Sequence, residues 1–190
     1  MTYRPITIDD LRRVHRIAAE RFPHKYLDVG LGAIGLFLHD PPKNSGYSVT
    51  PKNSITFASI GVDGVHFGSI TKGHRINPDS PVVVTIPMDF EEPNFIVGET
   101  LHDFLCLGCQ KGYWNLGNLA CHLEATLVFY AGPTGDFSDE RVPGVLRLLV
   151  DEFSLQPWHD VHSHFHELQM RFAGMLEVGE ANDGLKDCSQ

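Results

Sequence analysis

Residues 55–70 read ITFASIGVDGVHFGSI, two short runs rich in β-branched and aromatic residues joined by Gly61-Val62-Asp63-Gly64. Glycines that accept positive φ in so short a link predict a hairpin-type connection, with Asp63 in a turn role. Working outward, PVVVTIP (81–87) and NFIVG (94–98) have the same texture and are bounded by Gly, Asp, Asn and Pro. Four short strands in succession predict a meander, hence an antiparallel or mixed sheet. PVVVTIP is apolar without interruption and predicts a central strand buried on both faces.

Helical signals flank this β segment. Thr7 and Asp10 form a capping-box pattern ahead of Ile8, Leu11, Val14, Ala18 and Phe22, and Pro23 should stop that helix at Phe22. His15 falls on the apolar stripe and is expected as a hydrogen-bonded core residue. LDVGLGAIGLFLHD (27–40) reads equally as helix or strand, and Pro41, Pro42, Asn44 and Gly46 mark a loop. Thr100 should cap a helix carrying Leu101, Phe104, Leu105 and Leu107. CHLEATLVFY (121–130) is apolar and ambiguous, leaning towards strand through Thr126, Val128, Phe129 and Tyr130. After the loop AGPTGDFSDE, Val142, Val145, Leu146, Leu149 and Phe153 mark one helix. Trp158, Val161, Phe165, Leu168 and Phe172 mark a second, with Pro157 at its start. The expected architecture is one α+β domain over 1–178, a central antiparallel or mixed sheet flanked by helices with two C-terminal helices, followed by a flexible tail at 179–190.

Composition narrows the function classes. Lys and Arg total 15 against 24 Asp and Glu in 190 residues, a formal net charge of −9. Such a chain is a poor nucleic-acid binder, because affinity for phosphates needs clustered Lys and Arg. No apolar run reaches the roughly 20 residues of a membrane span. The opening MTYRPITIDD has no signal-type apolar segment, so the four cysteines are expected as reduced thiols in the cytoplasm. Charge is uneven: residues 1–80 carry 10 basic and 7 acidic side chains, whereas 81–190 carry 5 and 17. The acidity of the second half could form one negative face that solubilises the chain or docks a basic partner.

Several clusters invite chemistry. His159, His162, His164 and His166 crowd into eight residues, and on a helix His159, His162 and His166 would flank the apolar stripe. That spacing suits Zn²⁺ or Ni²⁺, although no third and fourth ligands are evident from another element. Cys106 and Cys109 form C-x-x-C, but the adjacency of Cys121 and His122 fits tetrahedral ligation poorly, and buried thiols are expected. His122-Leu123-Glu124 follows the cysteine pair, whereas in zinc deaminases H-x-E precedes it. His102 and Cys106, four residues apart, lack a visible oxyanion hole and orienting group. No phosphate-binding loop or nucleophile elbow occurs.

The phrases ITFASIGVDGVHFGSI and PVVVTIPMDFEEPNFIVGETLHDFL together resemble the SUKH superfamily, in the manner of a distant member. The shared order is a strand ending in Phe-Ala, a Gly/Asp turn and a second strand carrying an aromatic. A Pro-Val strand, a polar loop and a helix entering with Phe-Leu complete it. The superfamily includes bacterial immunity proteins of contact-dependent toxin systems and fungal regulators of cell-wall synthesis. The resemblance implies an α+β domain that is no enzyme, needs no cofactor or metal, and binds and blocks a protein partner such as a toxin. A basic toxin would be met by carboxylates, and Asp89, Glu91 and Glu92 after PVVVTIP, with Asp136, Asp139 and Glu140 before the paired helices, are the candidate contacts. Two alternatives stand beside it: a metal-binding protein or metal-dependent enzyme using His159, His162 and His166, and a small-molecule-binding regulator.

Overall fold

The computed structural model describes residues 4–25, 29–71, 73, 75–89 and 91–179. The expected polar tail falls, apart from Gly179, outside them. Five strands, β1 (Phe37–Leu38), β2 (Ser54–Ser59), β3 (His66–Ile70), β4 (Val82–Thr85) and β5 (Asn94–Gly98), pair in chain order and antiparallel throughout. The fold class is α+β, and of the two sheet types foreseen the purely antiparallel one is found. Five helices accompany the sheet: α1 (Ile8–Arg21), α2 (Leu101–Gly108), α3 (Leu123–Ala131), α4 (Arg141–Phe153) and α5 (Val161–Phe172).

Both faces of the sheet are buried, which explains the unbroken apolar run of β4. Val82 and Val84, with Phe57, Phe67, Phe95 and Val97, belong to the large core that also takes in α1, α2 and α4. Val83, Ile70 and Ile96 point the other way, onto Leu168 of α5 with Trp158, Phe172 and Leu176 around it. At Phe57 the register of β2 slips by one residue, so that Phe57 and Ala58 in succession both enter the large core. Phe104 stands at the centre of that core, with its ring centroid 5.0 Å from Phe67, 4.9 Å from Tyr113 and 5.9 Å from Phe57.

β5 is the last strand, and an unpaired strand edge templates pairing with other chains. Here α5 occupies it. Gln169 accepts a hydrogen bond from Ile96 N–H at 2.9 Å and donates one to Ile96 C=O at 2.8 Å, so one side-chain amide replaces a neighbouring strand. The chain after α5 closes onto the segment before β2. Lys52 N–H donates to Glu177 C=O, and Asn53 bonds the backbone of Met175 and Glu177.

The Thr7–Asp10 capping box forms as expected, with Thr7 accepting from Asp10 N–H and Asp10 from Thr7 N–H. His15 accepts from Leu31 N–H at 3.3 Å, tying α1 to the following segment.

Two expectations need correcting, and one open segment is decided. Where 121–130 leans towards strand in sequence, Leu123–Ala131 forms helix: α3 is apolar on nearly every side, so it shows no helical period, and Leu127 and Tyr130 supply its buried anchors. The segment that reads equally as helix or strand resolves, over its described residues 29–40, into a 3-10 turn at Gly30–Ile34 and the two-residue β1, because Gly35 takes a left-handed conformation (φ 81°) that ends the turn. Pro157 does not open the last helix. Asp160 caps it by accepting from Ser163 N–H, and Val161 is its first residue, so Trp158 and His159 precede it.

Candidate functional site

In an antiparallel meander the β2–β3 and β4–β5 turns emerge at the same end of the sheet. The paired row Ser59–His66–Thr85–Asn94 marks that end. Beyond it lie Gly61–Gly64 on one turn and Met88, Asp89, Glu91 and Glu92 on the other. The turns adjoin: a Cβ added at Gly64 (φ 69°) would stand 3.4 Å from Pro87 Cγ and 2.6 Å from Tyr47 Oη. Asp63 adopts positive φ (52°), the turn role expected of it.

Three large apolar side chains are bared here, Met88 at 72% exposure, Val62 at 51% and Tyr47 at 48%. Around them stand carboxylates. Asp89 accepts at 2.9 Å from both Glu91 N–H and Glu92 N–H, an Asx-type turn that holds the tip in shape. Glu91, Glu92 and Asp63 are exposed, and among the described residues none forms an ion pair. By contrast Asp9, Asp10, Asp40, Glu99 and Glu152 are each matched to an arginine. The Asp89–Glu92 turn therefore presents carboxylates without an ion-pair partner among the described residues beside bared apolar surface, with Lys43 in the adjoining cleft.

The second group of candidate carboxylates lies on another element, the link between α3 and α4. Asp139 pairs with the mostly buried Arg141 at 2.6 Å, and these hydrogen bonds hold its carboxyl below the usual carboxylate range. Asp136 and Glu140 are exposed, and Glu140 precedes α4 without capping it through its side chain. Among the described residues no hydrogen bond or ion pair joins this link to the Asp89–Glu92 turn, so the six carboxylates do not form one patch by direct contact.

Beside the acidic turns, on the face of the sheet that carries His66, the segment 39–47 walls a cleft of ≈390 Å³. It is lined by His39, Lys43, Ser45, Tyr47, Ser59, Asp63 and His66 among others. His66 is only 2% exposed and uses both ring nitrogens. Gly64 C=O can only accept, so Nδ1–H donates to it at 2.7 Å, and Nε2 accepts from Thr50 hydroxyl at 3.1 Å. Burial depresses the pKa of His66, and the Tyr47 ring stacks on it at 5.7 Å. Thr50 belongs to a strap that crosses the sheet here, pinned also by Asn94 Nδ2–H donating to Val49 C=O.

Sequence reasoning missed this cleft, along with Val62 and Met88. Its members come from the 39–47 segment and two strands, and no short-range spacing joins them. The one local hint was a histidine inside a strand immediately after a Gly-marked turn.

The histidine-rich segment is pulled apart. His159 precedes α5 and is exposed, His162 reaches Glu124 of α3 at 3.7 Å, and His166 is exposed. His164 instead turns to α2. Its Nε2 lies 3.0 Å from the Asp103 carboxylate, and its ring stands edge-on to Trp158, whose Nε1–H donates to Asp103 C=O. Among the described residues no group of three or more His, Cys, Asp or Glu side chains is placed to hold a metal ion. Cys106 and Cys109 are buried in the large core. Burial raises both thiol pKa values, that of Cys109 to about 12, so neither is poised as a thiolate nucleophile. No described helix is long and apolar enough to cross a membrane.

No protein-family model, curated protein or solved structure matches the chain.

Proposed function

We propose that this chain is a non-enzymatic protein-binding domain of immunity type, which binds a basic partner protein such as a toxin and blocks it with the acidic end of the sheet. The observation that carries this reading is the juxtaposition of bared Met88, Val62 and Tyr47 with Glu91, Glu92 and Asp63 on two adjoining turns. Apolar side chains ringed by charge are the usual anatomy of a protein contact. A partner with clustered Lys and Arg would be steered to such a site and would neutralise carboxylates that have no cation of their own. The resemblance to the SUKH superfamily points the same way. The Asp136–Glu140 link would serve only a partner broad enough to reach a second element.

Charge reversal tests this. In Glu91→Lys/Glu92→Lys the side chains are exposed, and the turn is held through their backbone N–H groups, so the fold should be untouched. Wild-type and variant chains are used as paired baits in a lysate of the source cells, and the retained protein is purified and titrated against both. The expected result is a basic partner bound at least about tenfold more weakly by the variant, through slower association that converges on wild type at high salt. An acidic partner, or equal affinity for the two chains, contradicts the proposal.

A further inference from the structure

We infer that the cleft between the 39–47 segment and the ends of β2 and β3 is a binding site for a small organic anion. Its negatively charged head would sit between Lys43 and His39, and its apolar body against Tyr47 and Val62. This site shares Tyr47, Val62 and Asp63 with the protein-binding surface proposed above, but its ligand is held through Lys43 and His39, so it stands whether or not that reading does.

The geometry begins with the backbone. His39 N–H donates to Phe57 C=O and Lys43 N–H to Thr56 C=O, so the 39–43 segment runs beside β2 and sets both side chains into the cleft wall. Ser45 Oγ–H donates to Thr56 Oγ1 at 3.0 Å, which continues the wall towards Tyr47. The floor is the Tyr47 ring, stacked on the buried His66, whose ring nitrogens are spent on Gly64 and Thr50 and leave no free proton for a ligand. Val62 and Val65 complete the apolar part of the lining. A volume of ≈390 Å³ with a few convergent polar groups falls in the range of small-molecule sites.

The electrostatics select the sign of the ligand. Lys43 forms no ion pair among the described residues, and it lines the cleft with His39, near enough for its charge to act on the imidazole. Burial, and then the charge of Lys43, depress the pKa of His39 below its ordinary value of 6.5. Two groups that would both carry positive charge thus line one concave space, and an anion there would relieve the repulsion. The other groups facing His39 are neutral His66 on β3 and the exposed Asp63 on the β2–β3 turn, while neighbouring Asp40 is taken up by Arg12 at 2.7 Å. Asp63 is the one feature of the lining that disfavours an anion, and it stands on a turn tip in contact with solvent.

Binding should therefore be coupled to protonation. His39, neutral in the free protein near pH 7, would charge beside the anion, so one proton is taken up and affinity falls as pH rises. Benzoate is the probe, with acetate as a head-only comparison, followed by NMR signals of the His39 and Tyr47 rings. The expected result is saturable binding of benzoate at pH 6, about tenfold weaker by pH 8, with acetate weaker than benzoate at both. Lys43→Gln, a change at an exposed residue, should abolish saturation, whereas His39→Gln should retain binding but lose its pH dependence. Asp63→Asn should tighten it. Shifts that rise linearly without saturating, or saturation that survives Lys43→Gln unchanged, overturn the inference.

Discussion

Phe104→Ala is expected to destabilise the fold by about 3–5 kcal/mol, the range for removing a large aromatic from a packed core. Phe104 is fully buried and brings α2, β2, β3 and Tyr113 to one point. Its backbone leaves no room for relaxation, because a Cβ on Gly98 would already stand 2.5 Å from Phe104 N, so β5 and α2 touch main chain to main chain. A cavity left there cannot collapse easily, which places the cost at the upper end of the range. Small domains have only about 5–15 kcal/mol in total, so the variant should be marginal at 37 °C. Urea unfolding checks this: the midpoint should drop with little change in slope. Val128→Ala, at a site 60% exposed on α3, should move stability by no more than about 0.5 kcal/mol. A loss under about 1 kcal/mol for Phe104→Ala would mean that the aromatic cluster is not the centre of the core.

The largest expected effect on function is at Val62 and Met88. Charge and apolar contact act on different steps of association. Exposed carboxylates speed encounter, whereas side chains that become fully desolvated set the lifetime of the complex. Such anchors cost about 2 kcal/mol or more each when truncated. Val62→Ser/Met88→Ser should therefore weaken partner binding by roughly 4 kcal/mol, which is on the order of 1000-fold. The loss should fall on the dissociation rate, with association and salt dependence kept near wild type. Because both side chains are mostly exposed, folding should be unaffected. Unchanged dissociation would mean that the bared apolar surface is incidental.

The sheet was legible in the sequence because its signals are local. Ile55–Ile70 contains two strands and the turn between them, and the apolar continuity of 82–84 follows from burial on both faces. Helix α1 announced itself through a capping box and a clean stripe. Helix α3 did not: its Val, Phe and Tyr are strand-favouring residues, and a helix apolar all round shows no period to detect. The 27–40 stretch is undecidable in sequence for a related reason, since the short 3-10 turn and two-residue strand found over its described residues have no periodicity at all. Of the candidate site, the carboxylates of the β4–β5 turn were readable as loop charges. That Asp139 is held by Arg141 was not, nor was the meeting of Tyr47, Val62 and Met88, because adjacency across a sheet end depends on topology. The histidines, expected along one helical face, are not on one because the helix begins at Val161, two residues after His159; His164 pairs with Asp103.

Hydrogen exchange of the backbone, with and without the purified partner, tests the account most directly. Slowed exchange at Val62–Gly64 and at Met88, Asp89, Glu91 and Glu92, with α3 and the exposed side of α5 unchanged, is the predicted outcome. Protection confined to α3 or α5, with both turns exchanging as in the free chain, would contradict it.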